Sequence, residues 1–229
     1  DAGVFSSNHL TGNNDGMDLL RSKGCSISGD YANGNTRNGF NIDDNSNSST
    51  ISGSYSSDNG LNGVNVEDSD GVSVSSHYFS NNSVDLLAKN SVSWPMDFSM
   101  SGSVFDNPHG GYANSTVLSI SDTLSPSASF KVRWAKQDSN YPNHISFGNK
   151  FVNISVASGL VVLDSVTWHY NTDELWGYHE GYFSIGQNSG GLWSQVSPII
   201  RDTAANTISV TNLAPGGVFG IFDSTHPLF

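Results

Sequence analysis

The sequence predicts an all-β protein in which a short parallel β-helix, or β-solenoid, is followed by an antiparallel β-sandwich or jelly-roll-like domain. One observation behind this prediction is a repeat of 23 or 24 residues in the first part of the chain, a period typical of stacked solenoid coils. The other is a change to longer apolar segments separated by turn residues, with no helical spacing in any window.

The repeat is marked by Gly16, Gly39 and Gly63, which are 23 and 24 residues apart. Each glycine precedes an apolar-polar-apolar triplet, and alternation along a strand directs the apolar members inward and the polar member outward. The triplets are Met17-Asp18-Leu19, Phe40-Asn41-Ile42, Val64-Asn65-Val66 and, as the predicted fourth member, Val84-Asp85-Leu86. A second strand column is predicted at Ile27, Ile51, Val74 and Met100. The polar column Asp18, Asn41, Asn65 and Asp85 is expected to form a hydrogen-bonded ladder.

The chain begins in a segment that resembles the inside of the repeat. Phe5-Ser-Ser-Asn8 matches Tyr55-Ser-Ser-Asp58 and Phe79-Ser-Asn-Asn82, so we expect no cap before the first coil. An uncapped coil exposes apolar side chains and strand edges. Phe5, Asn8 and Cys25 are therefore candidates for a subunit interface. Cys25 is the only cysteine, which excludes an internal disulfide; burial, an intermolecular bridge and a reactive thiol are its alternatives.

Two domains are predicted, the solenoid over residues 1–110 and the sandwich over residues 111–229. The boundary is the turn-rich cluster from Asp106 to Tyr112. The later strands are predicted near residues 117–120, 129–134, 144–147, 151–156, 160–168, 181–185, 207–210 and 218–222.

The composition limits the partners. The 229 residues include 9 Lys and Arg against 21 Asp and Glu, which gives a net charge of −12. Nucleic acid and anionic membranes require a cationic face, and no apolar run is long enough for membrane insertion. A surface rich in Ser, Asn, Thr and Gly predicts an extracellular protein after removal of a signal peptide. Glycosylation sequons at Asn47, Asn81, Asn114 and Asn153 agree with this address.

The predicted coils stack acidic residues at one corner. Asp43 lies over Glu67 and Asp44 over Asp68, with Arg21 one coil earlier. Carboxylates separated by about 4.8 Å along a solenoid repel each other unless a cation lies between them. We therefore consider calcium, which prefers oxygen ligands; the alternatives are a catalytic carboxylate cluster and hydrated corner residues. No other cofactor is required.

An aromatic-rich segment at residues 168–193, including Trp168, Trp176 and His179, has three interpretations. Its rings could pack inside the sandwich, stack on sugars or lie in a subunit interface. The sequence contains no nucleophile elbow and no phosphate-binding loop. A β-helix polysaccharide lyase would need a basic residue beside clustered carboxylates, and Arg21 is the one expected near the acidic column.

Two segments resemble known families. The Gly-x-Asn-Ile/Val and Ile-Ser-Gly-x-Tyr blocks of residues 16–105 are similar to the right-handed β-helix repeats of pectate-lyase-like and NosD-like proteins. The segments Phe151-Val-Asn-Ile-Ser, Val166-Thr-Trp-His-Tyr and Phe219-Gly-Ile-Phe222 resemble the β domain of archaeal, methanogen-type cell-surface proteins. This resemblance implies a protein of a sheath or surface layer.

The sequence thus favours an extracellular structural protein that self-assembles through its solenoid edges into a sheath, layer or fibre, with copies of itself as partner and cell-surface glycan as a further candidate. The alternatives are a polysaccharide lyase or epimerase that uses Arg21, Asp43, Asp44, Glu67 and Asp68, and a carbohydrate-binding adhesin module that uses the aromatics of residues 168–193.

Overall fold

The computed structural model describes residues 2–106, 115–136, 145–148 and 150–225. These residues form 23 β-strands and two short 3₁₀ turns, Thr172–Glu174 and Glu180–Tyr182. The all-β prediction with a parallel solenoid is confirmed. Within the described ranges, no helix has the length and apolar character needed to cross a membrane.

The solenoid consists of four coils with three strands each. The strands of the first two coils are β1 (Val4–Ser6), β2 (His9–Thr11), β3 (Met17–Leu20), β4 (Ser26–Ser28), β5 (Tyr31–Asn33) and β6 (Phe40–Asp43). Those of the next two are β7 (Thr50–Ser52), β8 (Tyr55–Ser57), β9 (Asn62–Glu67), β10 (Val72–Ser75), β11 (Tyr78–Ser80) and β12 (Val84–Lys89). Equivalent strands pair in parallel, so three strand columns run along the solenoid.

The corners between columns are made by residues with left-handed backbone angles. The corner after the first column has this conformation in all four coils, at Ser7, Gly29, Gly53 and Ser76, with φ of 56°, 63°, 54° and 49°, and Gly102, after the fourth coil, repeats it with φ of 54°. Glycine enters this region without strain, and short polar residues tolerate it better than bulky ones. The corner chemistry therefore explains why the repeat is rich in Gly, Ser, Asn and Asp.

The solenoid passes into the antiparallel region without a break in its sheets. The long strand β13 (Met96–Asp106) pairs in parallel with both β10 and β11, so it spans two columns. Strand β14 (Thr116–Leu124) then pairs antiparallel with β13, and β15 (Ser129–Trp134) pairs antiparallel with β12. The first two strand columns thereby continue into one antiparallel sheet, and the third column continues into the other.

The remaining strands extend these two sheets. They are β16 (Ile145–Ser146), β17 (Val152–Ser158), β18 (Leu163–His169), β19 (Phe183–Ser189), β20 (Leu192–Gln195), β21 (Ile199–Asp202), β22 (Thr207–Leu213) and β23 (Gly217–Asp223). The first sheet continues in the order β13, β14, β18, β22, β21. The second continues in the order β12, β15, β17, β23, β19, β20, with β16 beside β23.

One hydrophobic core also runs through both regions. A single cluster of buried side chains extends from Leu19 and Ile27 in the solenoid to Ile185 and Ile221 in the antiparallel sheets. The predicted domain boundary falls mainly in residues 107–114, which lie outside the described residues. On either side of that segment, sheets and core are continuous.

The predicted strand columns are confirmed in the regular coils. Two details are wrong: the register of the fourth coil and the column to which Phe5 belongs. Ile27 pairs with Ile51, and Val74 pairs with Ile51 and Met100, as predicted. In the fourth coil, however, Val64 pairs with Leu86 and Asn65 with Leu87, so the predicted triplet was placed two residues too early. The apolar pattern of Val84–Ala88 allows both registers, and the observed one buries Leu86 and Ala88 in the core.

The second error concerns the first coil. Phe5 pairs with Ile27 in the first column, and His9 pairs with Tyr31 in the second. The match of Phe5-Ser-Ser-Asn8 to Tyr55-Ser-Ser-Asp58 was therefore wrong by one strand. Both columns repeat an apolar or aromatic residue followed by serine, and this short pattern does not distinguish them.

Candidate functional site

The acidic corner carries basic partners as well as carboxylates. Arg21 Nε donates to Asp44 Oδ2 at 2.6 Å, and Lys89 Nζ forms an ion pair with Glu67. Lys89 was not expected here; the two-residue register error had moved it away from the column. Asp43 lies beside Glu67, because the residues that precede them, Ile42 and Val66, pair across adjacent strands.

The electrostatics of this corner follow from burial and hydrogen bonding. Burial raises the pKa of Asp43, and the charges of Glu67, Asp68 and Asp44 raise it further, against a hydrogen bond from the Asp44 amide. The hydrogen bond to Glu67 raises the pKa of Lys89, so this amine is held in its cationic form. Among the described residues, no group of three or more His, Cys, Asp or Glu has metal-site geometry. Calcium at Asp43, Asp44, Glu67 and Asp68 stays a prediction.

A buried asparagine ladder, missed by the sequence analysis, runs along another corner. Asn35 Nδ2 donates to Asn59 Oδ1 at 3.0 Å, and Asn59 Nδ2 donates to Asn82 Oδ1 at 2.9 Å. Each amide also donates to a backbone carbonyl of the preceding coil, as Asn59 does to Ala32 O at 3.1 Å. The ladder ends where Asn82 Nδ2 donates to Asp85 Oδ1 at 3.2 Å. The sequence did contain a signal for this ladder, because Asn35 and Asn59 each lie four residues before a repeated glycine, Gly39 or Gly63.

The repeated glycines lie against this ladder. A Cβ on Gly39 would meet Gly63 O at 2.6 Å and Asn59 Nδ2 at 2.9 Å, and a Cβ on Gly16 would meet Gly39 O at 2.5 Å. Side-chain carbons do not approach carbonyl oxygens this closely. The glycine repeat therefore reflects close approach between coils.

The outer polar ladder predicted at the third column forms over three coils. Asn65 Nδ2 donates to Asn41 Oδ1 at 2.7 Å, and Asn41 Nδ2 donates to Asp18 Oδ1 at 2.8 Å. Asp85 is absent from this ladder, as the corrected register requires. Since every amide donates toward the first coil, the ladder ends on Asp18, whose carboxylate can only accept hydrogen bonds.

Aromatic rings form a third ladder on the outside of the second column. His9 stacks on Tyr31 with ring centroids 5.0 Å apart, and Tyr31 stacks on Tyr55 at 4.6 Å with planes 2° apart. Tyr55 and Tyr78 are 5.5 Å apart and tilted by 41°. Tyr78 Oη donates to Asp106, and burial and this hydrogen bond raise the pKa of Tyr78.

His77 lies inside the solenoid. It is fully buried, its Nε2 lies 2.9 Å from Ser56 Oγ, and its ring packs against Phe40 and Phe79. Nδ1 has no hydrogen-bond partner among the described residues. Burial lowers the pKa of His77 to about 3, so the imidazole is a neutral core residue at physiological pH.

A small cavity lies where the solenoid meets the antiparallel sheets. Its volume is about 10 Å³, and its lining includes Asp85, Asp106, Arg133 and Trp134. This space is close to the minimum for one water molecule and far too small for a sugar ring. Asp85 Oδ2 accepts from Trp134 N at 2.8 Å, and burial raises the pKa of Asp85 to about 6. Asp85 thus connects the solenoid to the antiparallel region, because it accepts hydrogen bonds from Asn82 and from Trp134.

The aromatic segment at residues 168–193 divides into buried and exposed rings. Trp168 and Phe183 are fully buried and Tyr170 is buried, so they belong to the core. Trp176 is 90% exposed and Tyr182 is 55% exposed, on the loop that carries the two 3₁₀ turns. Trp176 and Tyr182 are therefore the large aromatic residues of the segment that are mostly exposed and accessible to a sugar.

The outer face of the first sheet carries hydroxyl groups in register across both regions. One row of paired residues crosses seven strands, and its members are Ser26, Thr50, Ser73, Ser99, Ser121, Ser165 and Thr211. A second row in the solenoid contains Ser6, Ser28, Ser52, Ser75 and Ser101. Neither row contains a charged residue, which makes this face suitable for neutral neighbours.

The first coil lies at one end of the described solenoid. β1, β2 and β3 each pair on one side only among the described strands. Phe5, Leu10 and Met17 remain partly exposed, whereas Ile27 and Phe40 one coil later are 0% exposed.

The three predicted interface residues lie at or next to this end. Phe5 packs partly on the core, and Asn8 is exposed, with its Nδ2 donating to Asp30 Oδ1 at 2.7 Å. Cys25 is buried at 2% exposure and its Sγ accepts from Gly3 N at 3.4 Å. Phe5 and Asn8 can therefore meet a neighbouring molecule directly, whereas Cys25 lies beneath the surface.

No protein-family profile, no curated protein and no solved structure matches this chain.

Proposed function

We propose that the chain is a structural module of an extracellular sheath, surface layer or fibre, in which copies join end to end through their strand edges. The observation that supports this proposal is that both sheets are open at both ends among the described strands. β1, β2 and β3 are edges at the solenoid end, and β20 and β21 are edges at the other. Open edges of this kind accept further strands, and a repeated head-to-tail contact produces a filament or ring.

Side chains at both ends favour the same proposal. Leu192 on β20 is 78% exposed and Ile200 on β21 is 59% exposed, while Phe5, Leu10 and Met17 are only partly covered at the solenoid end. Burial of such apolar surface favours association. Asp18 would take hydrogen-bond donors from the adjoining copy, because a carboxylate only accepts.

An extracellular location and a cell-surface glycan as partner are parts of this proposal. The acidic chain with few charges and the two neutral hydroxyl rows are compatible with a glycan-rich surface. A solenoid fold is compatible with a structural role and with a polysaccharide-active enzyme, because fold alone does not determine function. Whether the chain assembles in solution therefore distinguishes the two roles.

The test is sedimentation and negative-stain electron microscopy of the 229-residue chain over a range of concentrations. We expect concentration-dependent linear assemblies. The Leu10→Lys variant should stay monomeric, because an inward-facing charge at an edge strand opposes strand addition. Leu160→Lys, at a residue that is 82% exposed outside the solenoid, is the matched control and should assemble. Circular dichroism verifies that both variants are folded. A chain that stays monomeric at every concentration contradicts the proposal.

A polysaccharide lyase is the second candidate, because the ion pair places Lys89 beside Glu67 in the acidic column. A lyase base must be neutral to accept a proton, and the hydrogen bond to Glu67 raises the pKa of Lys89, which opposes this role. Turnover of uronic-acid polymers that is lost in both Lys89→Gln and Asp44→Asn would establish the lyase. Absence of turnover at alkaline pH, where the amine is neutral, would eliminate Lys89 as the base.

A further inference from the structure

Tyr31 and Tyr55 form a closely stacked pair on the outside of the solenoid. Their strands pair in register, with Tyr31 opposite Tyr55, and their ring centroids are 4.6 Å apart with planes inclined by 2°. The two residues are 41% and 39% exposed. Both phenols can therefore be reached by a reagent in solution while the backbone holds them together.

The other tyrosines are arranged differently. Tyr78 lies 5.5 Å from Tyr55 with a 41° tilt, is less exposed, and donates its hydroxyl hydrogen to Asp106. Tyr182 is 55% exposed, but its ring meets the edge of the His179 ring at 88° and does not stack on another tyrosine. Among the tyrosines of the described ranges, Tyr31 and Tyr55 thus combine exposure with parallel stacking.

We propose that Tyr31 and Tyr55 are a site of oxidative cross-linking that joins the second coil to the third by a dityrosine bond. Each phenol loses one electron and one proton to give a tyrosyl radical. The two radicals combine through a new carbon–carbon bond between ring carbons ortho to the hydroxyls, and the two ortho hydrogens return to the phenol oxygens as the rings regain aromaticity. The co-reactant is hydrogen peroxide used by a haem peroxidase, and one peroxide takes up two electrons and two protons to give two waters.

Proximity favours this pair over random coupling. Two groups held side by side react as if at very high local concentration, whereas coupling between molecules requires a diffusional encounter. Because the two side chains are partly exposed, their rings have room to turn from the stacked to the bonded arrangement. The bond would close the chain between residues 31 and 55 and limit the freedom of the unfolded state, as other cross-links do.

The experiment treats the 229-residue chain with a haem peroxidase and hydrogen peroxide at low protein concentration. We expect dityrosine fluorescence, a mass loss of two hydrogens in the chain that still migrates as a monomer, and a cross-linked peptide containing Tyr31 and Tyr55 after digestion. Tyr31→Phe and Tyr55→Phe should each lose the monomer-associated fluorescence, while Tyr182→Phe retains it. Phenylalanine preserves the stacked ring, and unchanged thermal midpoints would show that the variants fold.

The proposal is overturned if the fluorescence of the monomer is unchanged in Tyr31→Phe and Tyr55→Phe, or if the linked peptides come only from different chains. Since the bond forms within one chain, its failure and the failure of end-to-end assembly are separate results.

Discussion

The solenoid and the antiparallel region use different means to hold the same two sheets together. Solenoid strands are three to six residues long, too short to be stable without support from side chains. That support comes from ladders, such as Asn35–Asn59–Asn82, in which one residue bonds to the coils on both sides. The antiparallel strands reach nine residues, and their interior is an aromatic cluster that includes Phe147, Tyr170 and Phe183.

This difference has an energetic consequence. Removal of a ladder side chain leaves buried donors and acceptors without partners in two neighbouring coils. A half-buried polar side chain on an antiparallel strand, such as that of Asn153, leaves groups that water can reach when it is removed. The same substitution should therefore have different effects in the two regions, although they share sheets and a core.

The largest effect is expected for Asn59→Ala. Asn59 accepts from Asn35 N and Asn35 Nδ2 and donates to Ala32 O and Asn82 Oδ1. An unsatisfied buried group costs about 1–3 kcal/mol, and a loss of about 4 kcal/mol in the free energy of unfolding is expected. Asn153→Ala, at a half-buried position on the antiparallel strand β17, should cost about 0.5 kcal/mol or less. Urea unfolding measures both, and equal losses would remove the distinction between the regions.

Gly39→Ala tests the close approach of coils. The added methyl would meet Gly63 O at 2.6 Å, and overpacking of this kind costs about 1–3 kcal/mol. Gly181→Ala is the control, because a Cβ there meets nothing within 4 Å. Thermal unfolding should show a lower midpoint for the first variant alone. An unchanged midpoint in Gly39→Ala would show that neighbouring coils are not packed this tightly.

His77 should make the solenoid sensitive to acid. Its folded pKa of about 3 lies below the value of about 6.5 for an unfolded histidine. The unfolded state therefore binds more protons between these values, and stability falls as the pH falls through 6.5. The expected loss between pH 7 and 5 is about 2 kcal/mol relative to a His77→Gln variant. Protonation of His77 above pH 5, observed by NMR, would contradict the burial argument.

Asp122 should give the antiparallel region a smaller response of opposite sign. Burial and the charge of Asp164 raise the pKa of Asp122 to about 6, so the folded state binds more protons than the unfolded state between about pH 4 and 6. Its contribution to stability therefore rises as the pH falls through 6, by less than about 1 kcal/mol after solvent screening. Comparison with Asp122→Asn isolates the effect, and an identical pH profile in the variant would show that Asp122 does not titrate as expected.

The repeat allowed much of the solenoid to be predicted from sequence. Gly16, Gly39 and Gly63 gave the period. The alternating triplets gave one strand column correctly in the regular coils, and the series that starts with Ile27 gave another. The errors at Phe5 and Val84 arose where a short apolar pattern fits two registers. There the choice depends on which side chains the packed coils bury, such as Leu86 and Ala88, and a linear pattern does not contain this information.

The buried asparagine ladder and the junction were harder to predict. The Asn35 and Asn59 spacing was visible, but the bonds to preceding carbonyls depend on how a left-handed corner directs the side chain. Continuity of the sheets depends on β13 spanning two columns and on β14 reversing against it. Neither property follows from the composition of the strands. The position of Lys89 beside Glu67 was missed because the predicted register of the fourth coil was wrong by two residues.

The measurement that tests end-to-end stacking most directly is X-ray fibre diffraction from aligned assemblies of the 229-residue chain. If copies continue each other's sheets, the reflection at about 4.8 Å from strand spacing will lie parallel to the long axis of the assembly. A reflection perpendicular to that axis, or oriented assemblies without it, would contradict the proposed joining of copies through the first coil.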